Sequence, residues 1–475
     1  MNARRGAVLP ALLALAACAV GPDFKRPERP HVDRYVPGTP PQDSDAQRFI
    51  AGVPVPARWW REFHCAELDA LVADALAANP SIAAAEAALR QARENYAAQR
   101  GSYLPGVVAG GSATRNRNAV GVLAPTLNSG TALYNLYTAD VGVSYSLDLF
   151  GGIRRATESL RASAEALGYR RDATYLTVAG NVVVAAVQQA GLAAEVAATE
   201  RMIGLERQGV AIVGHQFELG GVDRVEVAAQ ETALAQLEAT LPALRRQLEA
   251  TRHLLATLTG RLPADAPLAV LDLGELTLPA NIPLGVPSQL VNRRPDVRAA
   301  EADLHAATAA DGVAIANLLP QIALSGSIGS SATAISELLK SGTVFWTVGA
   351  SLSQTLFAGG ALIHRKRSAD AALDQAAAQY RATVLSAFQD VSDALRALEA
   401  DNAAFASDAR AEKSAEETLA IVRRRLELGG VSYLVLLNAE QALEQSRLAR
   451  IAAATARLAD TAALFQALGG ATAGE

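Results

Sequence analysis

Two proline-free stretches, Gly151 to Leu219 and Gly360 to Leu428, keep an almost unbroken helical pattern. At 1.5 Å of rise per residue each would extend about 100 Å, several times what a compact domain can bury. Each stretch ends on paired glycines, Gly220-Gly221 and Gly429-Gly430, and the chain then resumes a helical pattern to about Gly260 and Gly469. Two very long antiparallel helical hairpins are predicted. Their periodicity is carried mainly by Ala with Leu and Val, and aromatics supply only 5% of the chain. Small seam residues of this kind favour closely approaching helices over a large aromatic core.

The hairpins are part of a longer duplication, and a repeat decides architecture before any single element does. Asn79-Pro80-Ser81-Ile82, followed by Glu86, Leu89 and Leu104-Pro105, returns without a gap as Arg294-Pro295-Asp296-Val297, Glu301, Leu304 and Leu319-Pro320. Leu147-Asp148-Leu149-Phe150-Gly151-Gly152 is echoed by Gln354-Thr355-Leu356-Phe357-Ala358-Gly359-Gly360. Phe217-Glu218-Leu219-Gly220-Gly221-Val222-Asp223 is echoed by Leu426-Glu427-Leu428-Gly429-Gly430-Val431-Ser432. The order in each half is helix, strands, Gly-Gly, very long helix, Gly-Gly, helix. The expected organisation is a leader over 1–17, an extended proline-rich arm over 18–58, a first repeat over 59–260, a proline-rich linker over 261–287 and a second repeat over 288–475.

The strand segments alternate as a sheet with two different faces should. Val141, Val143, Tyr145, Leu147 and Leu149 alternate with Gly142, Ser144, Ser146 and Asp148; Trp346, Val348, Ala350, Leu352 and Leu356 stand against Thr347, Gly349, Ser351, Ser353 and Thr355. Ile322, Leu324 and Ile328 against Ser325 and Ser327 repeat the pattern imperfectly, and 107–114 shows it weakly. Four strands in two hairpins, about 104–149 and about 320–357, are predicted. Alternation alone fits a half-buried soluble sheet and an outer-membrane barrel equally well. The aromatics Tyr134, Tyr137, Tyr145, Phe150, Phe345, Trp346 and Phe357, clustered in or beside these strands of an aromatic-poor chain, favour the membrane. Four strands cannot close a barrel, and an open edge is not tolerated in lipid, so several chains must share one barrel.

The N-terminus supports export. Arg4 and Arg5 precede an apolar run, Ala7 to Ala17, too short to span a bilayer, and Leu15-Ala16-Ala17-Cys18 looks like a bacterial lipobox. Cys18 would then be the lipidated first residue of the mature chain, and Ala19, in place of Asp, points to the outer membrane. One lipid chain anchors only marginally, so a second attachment is expected. Cys65 is the only other thiol and reads as a small buried hydrophobe. A net charge of −5, without a basic run, gives no footprint for nucleic acid. The six histidines lack metal-ligand spacing, and no Gly-x-Ser-x-Gly, phosphate loop or dinucleotide fingerprint occurs. An enzyme is not expected. Arg294-Pro295-Asp296 is explained as a helix start, with Pro in the first turn and Asp favourable to the dipole.

Taken in order, these strings resemble the TolC-like outer-membrane factor family of tripartite efflux and secretion systems, in its lipoprotein branch. The resemblance rests on Cys18-Ala19-Val20-Gly21-Pro22-Asp23-Phe24, Trp59-Trp60 with Phe63, Asn292 to Val297 with Ala300-Glu301, Leu319-Pro320 and the Gly-Gly turns after Phe150 and Phe357, spread over nearly the whole mature chain. It implies a mainly α fold with a membrane β part, in which three chains form a twelve-stranded barrel continuous with an α-helical periplasmic tunnel. The implied activity is passive export from a pump in the inner membrane, through a periplasmic adaptor, with no cofactor beyond the covalent lipid on Cys18. By position, Leu434 falls on a hydrophobic periplasmic gate ring and Asn438 on a ring that is usually Asp. A neutral ring removes three clustered carboxylates and should weaken cation binding there. Val431 stands where some members carry an Arg latched to an acid, whose counterpart here is Glu226. The tips Gly220, Gly221, Val222 and Gly429, Gly430, Val431 resemble adaptor-docking ends. The same fold also serves protein secretion, and a non-conducting structural trimeric lipoprotein is the alternative of a different class. Two departures from the family pattern are His64-Cys65 after the Trp-Trp region and Asp311, which either faces the lumen or weakens its helix.

Overall fold

The protein is described by a computed structural model covering residues 19–28, 30, 32, 34–37, 47–117, 133–264 and 271–470; Cys18 and the leader lie outside the described residues. The first half contains β1 (Arg48–Ala51), α1 (Ala66–Ala78), α2 (Pro80–Arg100), β2 (Gly106–Arg117), β3 (Leu133–Leu147), α3 (Gly152–Glu218) and α4 (Arg224–Leu258). The second contains β4 (Asn281–Leu284), α5 (Pro287–Arg293), α6 (Pro295–Ala316), β5 (Gln321–Ala332), β6 (Val344–Ser353), α7 (Ala361–Glu427) and α8 (Tyr433–Ala467). Helices α3 and α7 have 67 residues each, and α4 and α8 have 35 each, so the duplication extends to helix length.

Spatially the chain divides into two compact units that do not follow the repeats. One combines the described parts of Met1–Pro27, Leu89–Leu167 and Ala300–Tyr380; the other combines those of Glu28–Ala88, Gly168–Ala299 and Arg381–Glu475. Each repeat therefore contributes to both units.

The first unit holds an antiparallel sheet in the order β2-β3-β5-β6. Its two hairpins join where β3 pairs with β5, with Val141 opposite Ile328 and Tyr145 opposite Leu324, leaving one edge each of β2 and β6 without a partner strand among the described residues. The register gathers Val107, Val143 and Val348 on one face, in line with Val141, Ile328 and Trp346. The other face carries Ser144, Ser325, Ser327 and Thr347. The apolar face is open: Val348 is 77% exposed and Trp346 70%. A soluble half-buried sheet would cover that face.

The arm is clamped onto this unit beside the junction of β3 and α3. Asp148 accepts from the amides of Ile153 and Arg154, both at 2.9 Å, and so caps α3. The amide of Val20 donates to the carbonyl of Phe150 at 3.0 Å. Arg155, almost fully buried, donates to Asp23 at 2.6 Å, to Glu158 at 2.8 Å and to the carbonyl of Val20 at 3.2 Å. Phe24 stacks on His305 with ring centroids 4.4 Å apart, and Arg26 pairs with Glu301 at 2.8 Å.

Asp311 is not presented to an open space within this chain. It is buried at 4% exposure within an intact α6, in the field of Lys366, which bonds Asp370 at 2.6 Å on α7. Burial pushes its carboxyl up, against the pull of Lys366 and with the help of Asp370.

In the second unit, the turn Trp59–Phe63 lies against the C-terminal part of α8, with Trp59 stacked on Phe465 at 5.5 Å. The arm and the linker are not merely extended: β1 pairs in parallel with β4, Arg48 opposite Asn281 through Ala51 opposite Leu284. Gln47 extends this attachment with bonds to the carbonyl of Pro279 at 3.3 Å and the hydroxyl of Thr461 at 3.2 Å. Cys65 is buried and free.

Arg294 ties together three helices of this unit. It grips Asp296 through two nitrogens at 3.0 and 2.7 Å, reaches Asp390 at 2.9 Å, and donates to the carbonyls of Ala467 at 3.2 Å and Ala387 at 3.4 Å. Its side chain is 12% exposed, whereas Asp296 and Asp390 retain 39% and 45%, so water can partly resolvate the carboxylates if the cation is lost. Arg294→Met is expected to cost about 2 kcal/mol, below the usual loss for a fully buried pair, and urea unfolding of the purified protein measures it.

Candidate gate and docking tips

The two helical reversals are built alike. At the first, Leu219 donates to His215 at 3.2 Å, Gly220 to Phe217 at 2.9 Å and Gly221 to Gln216 at 2.8 Å. At the second, Leu428 donates to Arg424 at 3.3 Å, Gly429 to Leu426 at 2.9 Å and Gly430 to Arg425 at 2.8 Å. Gly220 and Gly429 have φ of +74° and +69°. This left-handed conformation crowds a Cβ, so the first glycine of each pair is what lets the helix end here and its last carbonyls find donors. Leu219 and Leu428, just before the glycines, are 73% and 72% exposed. Val222 and Val431 are half-buried, and the glycines themselves are exposed.

The helices leave the two turns differently. Asp223 caps α4 by accepting from Val225 at 2.6 Å, and Glu226 closes the capping box by accepting from the amide of Asp223 at 3.2 Å. Glu226 thus serves its own helix. Ser432, at the start of α8, makes no side-chain capping bond. Val431 packs against a cluster of Leu419, Val422, Leu436, Ala439 and Leu443, which zips α7 to α8 just behind the tip.

Leu434 and Asn438 lie four residues apart, on one face of α8, and the intervening Leu436 and Leu437 are buried. Leu434 is half-buried and Asn438 exposed, so both are available to something outside this chain. Tyr433 reaches across to Gln208 on α3 at 3.5 Å, and Glu206 accepts from Gln441. The same region carries cross-helix ion pairs, Arg201 to Glu444 at 3.0 Å and Arg423 to Glu440 at 2.9 Å. Burial raises the Glu206 carboxyl, against the Gln441 hydrogen bond.

One cluster had no sequence signal. Asp401 on α7 meets Asp460 on α8, a pair joined only by the register of the two helices. Beside them the Arg457 guanidinium lies 3.7 Å from the centroid of Phe405. Burial, then the hydrogen bond and charge of Asp460, push Asp401 up to about 6, with Arg457 opposing. Among the described residues no cluster of His, Cys, Asp and Glu is arranged to hold a metal ion.

A chain that contains both an open sheet with an exposed apolar face and long helical hairpins with glycine tips has the parts of an outer-membrane channel subunit. Comparison with known proteins agrees. The family described as outer membrane efflux protein matches residues 71–261 and 286–470, and the chain belongs to that family. It is 30% identical over 416 residues to the pyoverdine export outer membrane protein OpmQ of Pseudomonas putida, covering 87% of this chain and 88% of that protein. It is also 30% identical over 480 residues to the outer membrane protein OprJ of Pseudomonas aeruginosa, covering 96% and 94%. The solved structure of the outer-membrane channel OprN superposes with a TM-score of 0.83 at 28% identity, covering 95% of this chain and 99% of that one. The chain is therefore an outer-membrane efflux component, reaching into the periplasm.

The raised carboxyl of Asp401 has a pH consequence. Below its ordinary value of 3.8 both folded and unfolded chains hold the proton; between there and about 6 only the folded chain does. The stabilisation is thus full at the acid end and is lost as pH rises through 6. In thermal scans, Asp401→Asn is expected to flatten the fall in Tm between pH 4.5 and 7 that wild type shows.

Proposed function

We propose that three copies join their sheets edge to edge into one twelve-stranded barrel, and that their helical hairpins continue it as a tunnel through the periplasm. The observation that carries this reading is the sheet itself, with two edges lacking partner strands among the described residues and an apolar face open to its surroundings. In lipid each unpaired N–H and C=O costs several kcal/mol, and closure with further copies removes every edge. The duct is passive. It carries small toxic compounds or drugs expelled by an inner-membrane transporter and handed on through a periplasmic adaptor, and no residue of this chain performs chemistry on them.

Leu434 forms the hydrophobic constriction at the periplasmic end, with Asn438 a neutral ring one helical turn away. The tips Gly220-Gly221-Val222 and Gly429-Gly430-Val431 dock the adaptor, offering the exposed Leu219 and Leu428 beside a rigid backbone turn. Cys18 carries the lipid. Its neighbour Ala19 lies against Gly151, between β3 and the start of α3.

Single-channel recording in planar bilayers tests the gate. Wild type is expected to conduct little, and Leu434→Gly to conduct several-fold more; equal conductance moves the gate elsewhere, and none from either, with trimers intact, removes the duct. Cys18→Ser is expected to abolish incorporation of labelled palmitate while leaving the trimer intact by native electrophoresis.

A further inference from the structure

The register of the four-stranded sheet lines up four residues in one row on its hydroxyl-bearing face. Gly110 stands opposite Asp140, Asp140 opposite Gly329, and Gly329 opposite Phe345. Among the described residues of these strands, Asp140 is the only charged side chain on that face; Arg115 and Arg117 of β2 fall on the other. Both cross-strand neighbours of Asp140 are glycine, and the missing side chains leave it room. A Cβ on Gly110 would come within 3.2 Å of Asp140 Oδ1, so the carboxylate lies over β2. A Cβ on Gly329 would meet Asp140 Cβ at 2.6 Å and Phe345 Cζ at 2.8 Å. The Phe345 ring thus reaches across Gly329 to the side chain of Asp140.

Beside this row lies an open hollow of about 320 Å³, whose lining includes Val108, Gly142, Ser144, Ser325, Ser327 and Thr347. Gly142 and Thr347 stand two residues from Asp140 and Phe345 on the same face, so the carboxylate and the ring border the hollow. The four hydroxyls and the carboxylate have no hydrogen-bond or ion-pair partner among the described residues. All five side chains are exposed or half-buried, so a solute in the hollow can touch them.

Together these groups select a class of solute. A carboxylate with no cation beside it attracts positive charge and repels anions. Hydroxyl oxygens accept from N–H donors. The aromatic ring adds cation–π attraction and an apolar surface for the rest of the molecule. The volume suits a small organic molecule, whereas a calcium-like ion would need several more carboxylate or carbonyl oxygens than one Asp supplies. We propose that the hollow binds organic ammonium ions, whose N–H groups meet Asp140 and the hydroxyls and whose apolar body lies against Phe345 and Val108. The site rests on the reading of the sheet as one third of a barrel wall with this face toward the lumen. Three copies then set three such sites around the exit and give the duct a preference for amine-bearing cargo, which the neutral Asn438 ring does not offer.

The test titrates phenethylammonium chloride into the full-length assembled protein in a non-ionic detergent, followed by saturation-transfer NMR against a detergent blank. The uncharged comparison is 2-phenylethanol. Saturable binding of the ammonium probe is expected, with the alcohol about fivefold weaker. Asp140→Asn, which keeps the shape of the side chain between its two glycines, should weaken the ammonium probe about fivefold. It should leave the alcohol unchanged, which also shows that the hollow survives the substitution. Phe345→Leu should weaken the ammonium probe about threefold. Native electrophoresis and bilayer conductance keep this site apart from the duct itself. Conducting trimers that bind no probe saturably, that bind both probes equally, or that hold the ammonium equally in wild type and Asp140→Asn would overturn the site and leave the duct standing. A protein that forms no trimer would overturn both.

Discussion

The unpaired edges of a four-stranded sheet govern the rest of this structure. A backbone amide in hydrocarbon has no water to turn to, so its hydrogen bond must come from protein. The residues of β2, β3, β5 and β6 satisfy one another across three antiparallel ladders, and among the described residues nothing pairs with the outer edges of β2 and β6. Side chains reinforce the constraint. The face carrying Val107, Trp346 and Val348 is as exposed as a lipid-contacting surface must be, whereas the serine and threonine face suits water. The sheet is therefore intelligible only as a fraction of something larger.

The helices answer a different requirement, which is reach. A 67-residue helix cannot be stabilised by propensity alone and needs neighbours along its whole length. The buried faces of α3 and α7 are supplied largely by Ala, Val and Leu, and their side chains are short enough for close helix approach. Where the apolar seam thins toward the tips, ion pairs such as Arg207 with Glu238 at 2.7 Å and Arg423 with Glu440 at 2.9 Å take over. Their partial exposure makes each worth little individually, so the shape of the tip rests more on the glycine turns and the Leu436–Leu443 cluster.

Much of this was legible from the sequence because it is written in periodicity and repetition. The strands show their alternation, the two 67-residue helices lack proline over their whole length, and the glycine pairs recur at matching places. The features that stayed hidden lack any local pattern. Strands β1 and β4 have four residues each, too few to alternate recognisably, and β4 contains Pro283, which argues against a strand. The Asp401–Asp460 pair and the grip of Arg294 on Asp390 are set by which helix faces which, and each partner reads alone as an ordinary charged helical residue. Asp311 looked anomalous because its compensating neighbour Lys366 belongs to the helix on the far side of two strands. Trp59 and Trp60 read as a motif, but the ring on which Trp59 stacks, Phe465, lies near the opposite end of the chain.

The attachments of the N-terminal arm impose an order on assembly. Arg26 finds Glu301 across 275 residues, Ser392 donates to the carbonyl of Tyr35 across 357, and Gln47 meets Thr461 across 414. The arm starts to settle on residues near 150 but is not fully fixed until Thr461 is present, and contacts of such wide sequence separation are the kind that slow folding. For an exported protein that delay is useful. A polypeptide unable to finish docking its arm until the last helix has arrived stays threadable for longer in its passage across the inner membrane.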